Sequence, residues 1–317
     1  MGNMLADSVR HRLEFLGVLI LALPFYLLPR RPAIFFGNVL GWCVAHFLPI
    51  RRQVVRENLS RAFPEKTPRE IRTLTTRTYM HFGKVAAEFA RQDRYTPVNL
   101  GQFVRTENRD ILDQAIDQQQ GVVLLLGHFG NWELFAYWLG VSGYTPHAIH
   151  RTQENPLVDG FISAKRKSAQ LRMIPSSDSV RGMLSALDEG NLLMILADQD
   201  ARGKGTFVDF FDIPSSTFRG AAVFAQRQQC PIILAFPILE QDGTYRFIFE
   251  ELQYHINSSQ ESVQYILQQY MSRLQYYVKQ YPEQYFWFHR RWKTQPIKKK
   301  NSSKSAAPGW IGAGAAS

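Results

Sequence analysis

A histidine and a carboxylate stand five positions apart in the segment His128-Phe129-Gly130-Asn131-Trp132-Glu133. On one ideal helix of 3.6 residues per turn the two side chains would diverge by roughly 140°. They can meet only if His128 lies in a turn before a helix and Glu133 in the helix's first turns. Gly127 and Gly130 permit such a turn. A carboxylate that accepts an imidazole N–H fixes the tautomer and stabilises the imidazolium formed when the other nitrogen takes a proton. That arrangement is a general base for activating a hydroxyl. No serine or cysteine stands beside the pair, which favours direct attack by a substrate hydroxyl over a covalent enzyme intermediate. The His-Glu-x-x-His pattern of zinc proteases is absent, as are glycine-rich nucleotide fingerprints. A bare His-x4-Glu is also common by chance, as a capping histidine and an ordinary helix carboxylate, so its context decides.

That context is a run of alternating elements. Val122–Leu126 is a continuous apolar run ended by Gly127, the pattern of a buried strand. Asn131–Leu139 then reads as helix. His147–Ile149 reads as a short strand, and Pro156–Lys167 as a helix with Asn155 as its cap. Val180–Leu187 is a further helix, Leu192–Ala197 a second buried strand, and Phe218–Gln229 another helix. Pro231–Phe236 and Tyr245–Phe249 continue the sheet. Thr67-Pro68-Arg69-Glu70 is a capping box for a preceding amphipathic helix, and Ser258-x-x-Glu261 reads as the cap of a last one. Alternating strands and helices imply an α/β layered domain with a largely parallel central sheet. Ligands bind such sheets beyond the carboxyl ends of the strands. Three polar groups stand there: His128, Arg151 and Asp198-Gln199-Asp200.

The chain has 317 residues, 45% hydrophobic and 20% charged, which excludes a disordered protein. Its two cysteines exclude a disulfide framework. A formal charge of +10 suits a phosphate-bearing or acidic partner. No nucleic-acid motif accompanies the charge, so no nucleic acid is expected. Mean hydropathy of -0.23 excludes a polytopic membrane protein but not an apolar anchor. Two uncharged apolar stretches, Phe15–Leu28 with Pro24 inside it and Ala33–Ile50, are bracketed by Arg10, Arg12, Arg30, Arg31, Arg51 and Arg52. A cleaved signal peptide lacks its small-residue site here, and two buried core helices are the plainer alternative. The bracketing arginines favour a membrane-seated helix or shallow hairpin.

Of the remaining residues, Arg151 and Arg166 are either surface charges or phosphate ligands. Asp198 is expected to hold an arginine or another donor, not a metal. His289-Arg290-Arg291 reads as a basic or solvated surface. Phe210, Phe211, Phe286 and Trp287 read as packing, and Cys230 as a buried, inert thiol.

Six ordered segments resemble one known family. They are Asn58-Leu59-x3-Phe63-Pro64, the His128–Glu133 motif, and His150-Arg151-x3-Asn155-Pro156-Leu157-x-Asp159. The others are Leu187-x2-Gly190 through Asp198-Gln199-Asp200, Gly205-Thr206-Phe207-Val208-x-Phe210-Phe211, and Pro282-Glu283-Gln284-Tyr285-x-Trp287-x-His289-Arg290-Arg291-Trp292-Lys293. Together they resemble the late acyltransferases of lipid A biosynthesis, a group related to phosphatidylinositol mannoside acyltransferase. The resemblance implies a glycerol-phosphate-acyltransferase-like fold with N-terminal membrane-anchoring helices. It implies an anchor over residues 1–52, an α/β acyltransferase domain over 53–293 and a basic, disordered tail over 294–317. The implied reaction moves a fatty acyl chain from an acyl carrier protein or coenzyme A thioester to a hydroxyl of a lipid A precursor. His128 and Glu133 would be catalytic, with Arg151, Arg166 and Asp198 binding substrate. No cofactor or metal is implied beyond the acyl co-substrate. The implied setting is the cytoplasmic side of the bacterial inner membrane, against its anionic surface. A different envelope glycolipid as acceptor, or a non-catalytic adaptor working through the Lys298–Lys300 tail, are the alternative readings.

Overall fold

The two apolar runs that read as buried strands lie side by side in the middle of one sheet. A computed structural model describes residues 2–48, 50–150, 152–175, 179–254 and 260–296 (the described residues). In chain order, α1 (Gly2–Leu27), α2 (Arg30–Phe47), α3 (Arg52–Ala62), α4 (Pro68–Arg91) and the single turn α5 (Pro97–Leu100) come first. Strands and helices then alternate through β1 (Val104–Glu107), α6 (Arg109–Asp117), β2 (Val122–Leu126), α7 (Trp132–Val141) and β3 (Pro146–His150). They continue with α8 (Pro156–Ser168), β4 (Arg172–Pro175), α9 (Ser179–Asp188) and β5 (Leu192–Leu196). A hairpin of β6 (Thr206–Phe210) and β7 (Ile213–Thr217) precedes α10 (Gly220–Gln228), β8 (Ile232–Leu239), β9 (Tyr245–Leu252) and α11 (Gln260–Gln280).

Among the described residues, seven strands form the central sheet in the order β1-β9-β8-β2-β5-β3-β4. Every neighbouring pair is parallel except β8 and β9, which the Asp242-Gly243 turn joins as a hairpin. The fold is thus α/β with a mostly parallel sheet, as expected. Period-two alternation splits β2 between two cores. Val122, Leu124 and Leu126 join α6 and α7 on one face, while Val123 and Leu125 join α9, α10 and α11 on the other. Helices therefore cover both faces, which is why these strands carry unbroken apolar runs.

The expected capping boxes and caps form where they can be seen. Thr67 N–H donates to Glu70 Oε2 (2.8 Å) at the start of α4, and Asn155 Oδ1 accepts from Leu157 N (3.0 Å) at the start of α8. The Ser258 cap and the basic residues Lys298–Lys300 lie outside the described residues. The sequence did not reveal the edge strands β1 and β4 or the β6–β7 hairpin. The two-residue turn of that hairpin, Phe211-Asp212, adopts φ of 55° and 57° without a glycine, so the usual turn signal is missing. Packing of the Phe211 ring on Phe63 and Trp287 holds it there.

The N-terminal helices differ from a free-standing anchor. Among the described residues no single helix is long and apolar enough to cross a membrane. The Phe15–Leu28 stretch forms the second half of α1 up to Leu27, with Pro24 inside the helix. Helix α2 docks backbone to backbone on α4. A Cβ at Gly41 would stand 2.2 Å from Tyr79 O, and one at Gly83 would stand 2.1 Å from Gly37 O. At the start of α2, Arg30 Nε donates to the fully buried Glu88 of α4 (3.0 Å). Helix α1 is tied to the α8 cap, where Asn155 Nδ2 donates to His11 O (2.9 Å) and Glu14 Oε2 (2.8 Å). The outward faces stay apolar, with Leu13, Leu16, Ile20, Phe35, Phe36 and Phe47 exposed. Because the helix axes cannot separate without losing these contacts, Gly83→Val is expected to cost about 3 kcal/mol through overpacking. Denaturant titration checks this, and an unchanged midpoint would refute the close approach.

Candidate active site

Register builds the site. Strands β2 and β5 pair in parallel with Leu126 opposite Leu196. Two residues further along each chain stand His128 and Asp198, so the sheet itself sets them face to face. His128 Nδ1–H donates to Asp198 Oδ1 at 2.7 Å. Asp198 is 1% exposed. Burial alone would raise its pKa, but the His128 charge and hydrogen bonds, with Arg291 nearby, outweigh it and hold the carboxyl below the ordinary carboxylate range. With Nδ1 carrying the proton, Nε2 presents its lone pair, which accepts a long hydrogen bond from Gln199 Nε2 (3.3 Å).

The turn that carries His128 is held from three directions. Gly130 has φ of +62°, and a Cβ there would stand 1.7 Å from Pro237 O, so only glycine fits. Gly130 N–H donates to Gln284 O (2.9 Å) and Asn131 N–H to Pro237 O (3.1 Å). From α4, His81 Nε2–H donates to Gly130 O (3.1 Å). Desolvation pushes the pKa of this fully buried imidazole down to about 3, so it is a neutral donor. Asn131 then caps α7, its Oδ1 accepting from Leu134 N (3.0 Å) and its Nδ2 donating to Tyr245 OH (3.1 Å). On the far side Phe286 N–H donates to His128 O (2.9 Å), so the terminal segment closes over the turn. The rings of Trp132 and Phe286 lie 5.1 and 6.0 Å from the imidazole.

Several sequence expectations are corrected here. Glu133 does not orient His128. Its carboxylate takes a two-pronged contact from Arg166, with Nε at 3.2 Å and Nη2 at 2.5 Å. Helix α7 starts at Trp132, which carries Glu133 towards α8 and away from the imidazole, and the sheet supplies Asp198 in its place. Asp198 does hold a donor in the site, and that donor is the His128 imidazole. Arg166 does reach the cleft; burial works against its charge, and Glu133 more than restores it. Arg151 lies outside the described residues. The run His289-Arg290-Arg291 is not a solvated basic face. His289 Nε2 accepts from Asp200 N–H (3.0 Å), and burial pushes its pKa down. Arg291 is 1% exposed and donates to Ser216 O and Thr217 Oγ1, both at 2.7 Å. Phe210, Phe211 and Trp287 are core, as expected, but Phe286 is only half-buried beside His128. Cys230 is buried, and burial pushes its thiol up to about 11.

The profile of the bacterial lipid A biosynthesis acyltransferase family matches residues 4–294, spanning both the N-terminal helices and the site. The chain belongs to this family. It is 25% identical over 292 residues to a lipid A biosynthesis palmitoleoyltransferase of Escherichia coli K12, covering 91% of this chain and 93% of that one. It is 24% identical over 294 residues to the lipid A biosynthesis lauroyltransferase of the same organism, covering 90% and 93%. A phosphatidylinositol mannoside acyltransferase of Mycolicibacterium smegmatis is 25% identical over 207 residues, covering 62% of this chain and 66% of that one.

In this acyltransferase the imidazole opens onto a cleft of about 640 Å³. Glu133, His150, Arg166, Gln199 and Asp200 give it polar lining beside His128; Ala136, Ala148, Leu171, Met173, Met194 and Phe218 supply apolar wall. Sequence reasoning placed Gln199 at a strand end and named Phe286 and His289, but gave none of them its role here, and it passed over His81. For the pairing of His128 with Asp198 a signal existed: two apolar runs, each followed by a polar group two residues on, align once the strands are known to be neighbours. Phe286, His289 and His81 arrive from distant segments, and their roles left no local trace. The buried His81 makes the turn acid-sensitive. Its folded pKa lies below its unfolded value of 6.5, so the unfolded chain binds a proton that the folded chain refuses. Its contribution is full above about pH 6.5 and lost as pH falls towards about 3. His81→Gln keeps an N–H donor and does not titrate, so melting temperature should fall less between pH 7 and pH 4, roughly the window of that titration, than in the wild type. Parallel curves would refute this.

Proposed function

We propose that this acyltransferase moves a fatty acyl chain from an acyl carrier protein or coenzyme A thioester to a hydroxyl of a lipid A-like glycolipid, with His128 as general base. One observation carries the reading: an imidazole whose Nδ1 is anchored on a buried carboxylate and whose Nε2 faces a largely apolar cleft. Nε2 takes the proton of the acceptor hydroxyl as its oxygen attacks the thioester carbonyl. The C–O bond forms, the tetrahedral intermediate collapses, the C–S bond breaks, and the imidazolium returns the proton to the leaving sulfur. Asp198 keeps Nδ1 protonated and stabilises the transient imidazolium. No residue of the chain is acylated.

Arg166 suits a phosphate of the acceptor or of the donor's phosphopantetheine arm, and Glu133 holds its fork in place. The acceptor class rests on the names of the lipid A acyltransferases to which the chain is similar across nine-tenths of its length. The partial similarity to a phosphatidylinositol mannoside acyltransferase supports a second reading, another envelope glycolipid. The apolar outward faces of α1 and α2, with Arg12, Arg31 and Arg51 exposed beside them, suit a chain seated on an anionic membrane surface. Residues 1–52 would be the membrane-facing part and 53–293 the catalytic part, on the cytoplasmic side of the inner membrane.

His128→Ala and Asp198→Asn are each expected to lower kcat by about 10²–10⁴-fold in a purified acyl-transfer assay. Wild-type turnover in both would end the reading. Mass spectrometry of lipids from a deletion strain separates the acceptors: loss of one acyl chain from lipid A supports the first, and a change confined to another glycolipid the second. Ala136→Leu should fill part of the cleft and shift products towards shorter acyl chains, each excluded methylene weighing about 0.8 kcal/mol. An unchanged chain-length profile would remove the cleft as the acyl site.

A further inference from the structure

We infer that the Gln199 side-chain amide is the donor that stabilises the oxyanion of the tetrahedral intermediate. The inference rests on the general-base reading and adds a residue to it. Attack on a thioester carbonyl moves negative charge onto the carbonyl oxygen, and a preorganised N–H aimed at that position is commonly the largest single catalytic contribution. Three backbone donors around the His128 turn are committed: Gly130 N–H to Gln284 O, Asn131 N–H to Pro237 O and Leu134 N–H to Asn131 Oδ1. Arg166, which also lines the cleft, directs Nε and Nη2 at Glu133.

Gln199 differs from all of these. It lines the cleft, and its Nε2 lies 3.3 Å from His128 Nε2, the nitrogen that must receive the hydroxyl proton. Among the described residues it is the side chain whose N–H reaches that nitrogen. Its backbone is clamped on both sides: Asp198 is bonded to His128, while Asp200 donates its N–H to His289 and accepts from Thr294 Oγ1 (2.9 Å). In the resting enzyme the amide occupies the place of the acceptor hydroxyl. When that hydroxyl enters and bonds to Nε2, the amide is displaced from the base but stays beside it. The attacking oxygen and the oxyanion are then on the same carbon, so a donor adjacent to Nε2 is adjacent to the oxyanion. The donor thus exchanges a weak contact with the base for a charge-assisted bond formed only during reaction, which raises kcat and not substrate binding.

The test uses the purified full-length enzyme with an acyl thioester and its glycolipid acceptor. Gln199→Met has nearly the same length and no donor. It should lower kcat by about 10²–10³-fold, leave KM within about threefold, and leave the acid limb of the pH–rate profile in place. An alkylphosphonate carrying a stable tetrahedral oxyanion should bind more weakly to the variant by a similar factor. Should Gln199→Met fail to accumulate as folded protein, Gln199→Glu substitutes for it. There the loss should be at least as large, because the carboxylate repels the oxyanion. Near-wild-type kcat in the Gln199 variant, with His128→Ala inactive, overturns the inference while sparing the general-base reading. So does a loss confined to KM, or one recovered at higher pH, which would place the effect on the imidazole. An active His128→Ala enzyme removes the general-base reading itself.

Discussion

The hydrogen bond from His128 Nδ1 to the buried Asp198 carboxylate is the constraint around which the rest of the molecule is arranged. A carboxylate taken out of water is costly unless it is paired and bonded. Here the imidazole, its own backbone and the charge of Arg291 share that task. The arrangement needs two strand ends to stop at the same level, and parallel pairing of β2 with β5 provides this. Because Nδ1 is committed to Asp198, Nε2 faces the cleft with its lone pair available. One bond therefore sets the burial, the tautomer and the direction of the chemistry together.

Holding that bond at 2.7 Å requires a rigid turn, and distant parts of the chain contribute to it. Residues 284–286 bond both sides of the His128–Gly130 turn, and His81 bonds its apex. Arg291 anchors the same terminal segment on the β7 strand, while His289 fixes the backbone of Asp200. The terminal motif thus has a structural reason for its composition. Its half-buried histidine and the buried Arg291 support the site, which leaves Arg290 as the exposed residue of the run.

The N-terminal helices and the cleft share a wall. Helix α8 carries Arg166 towards Glu133 on one side and is tied to α1 through Asn155 on the other. Lys165, the neighbour of Arg166, is buried and donates to Ala90 O (2.7 Å) and Asp93 (2.6 Å) at the end of α4. Helix α8 thereby links α1 to the polar lining of the cleft.

The sequence alone determined a good deal. Continuous apolar runs identified β2, β5 and β8, capping residues marked α4 and α8, and six ordered motifs pointed to the acyltransferase family. These are local properties, because apolar periodicity and capping depend on neighbours a few residues away. His128 was legible as a candidate site residue for the same reason. Its partner was not. Glu133 is near in the chain, but Asp198 is near in space, and strand order in a sheet is decided by the packing of helices on both faces. The same holds for Gln199, His289 and His81. Edge strands and a glycine-free hairpin left too little pattern to be seen, since their conformation is imposed by tertiary contacts and not by their own residues.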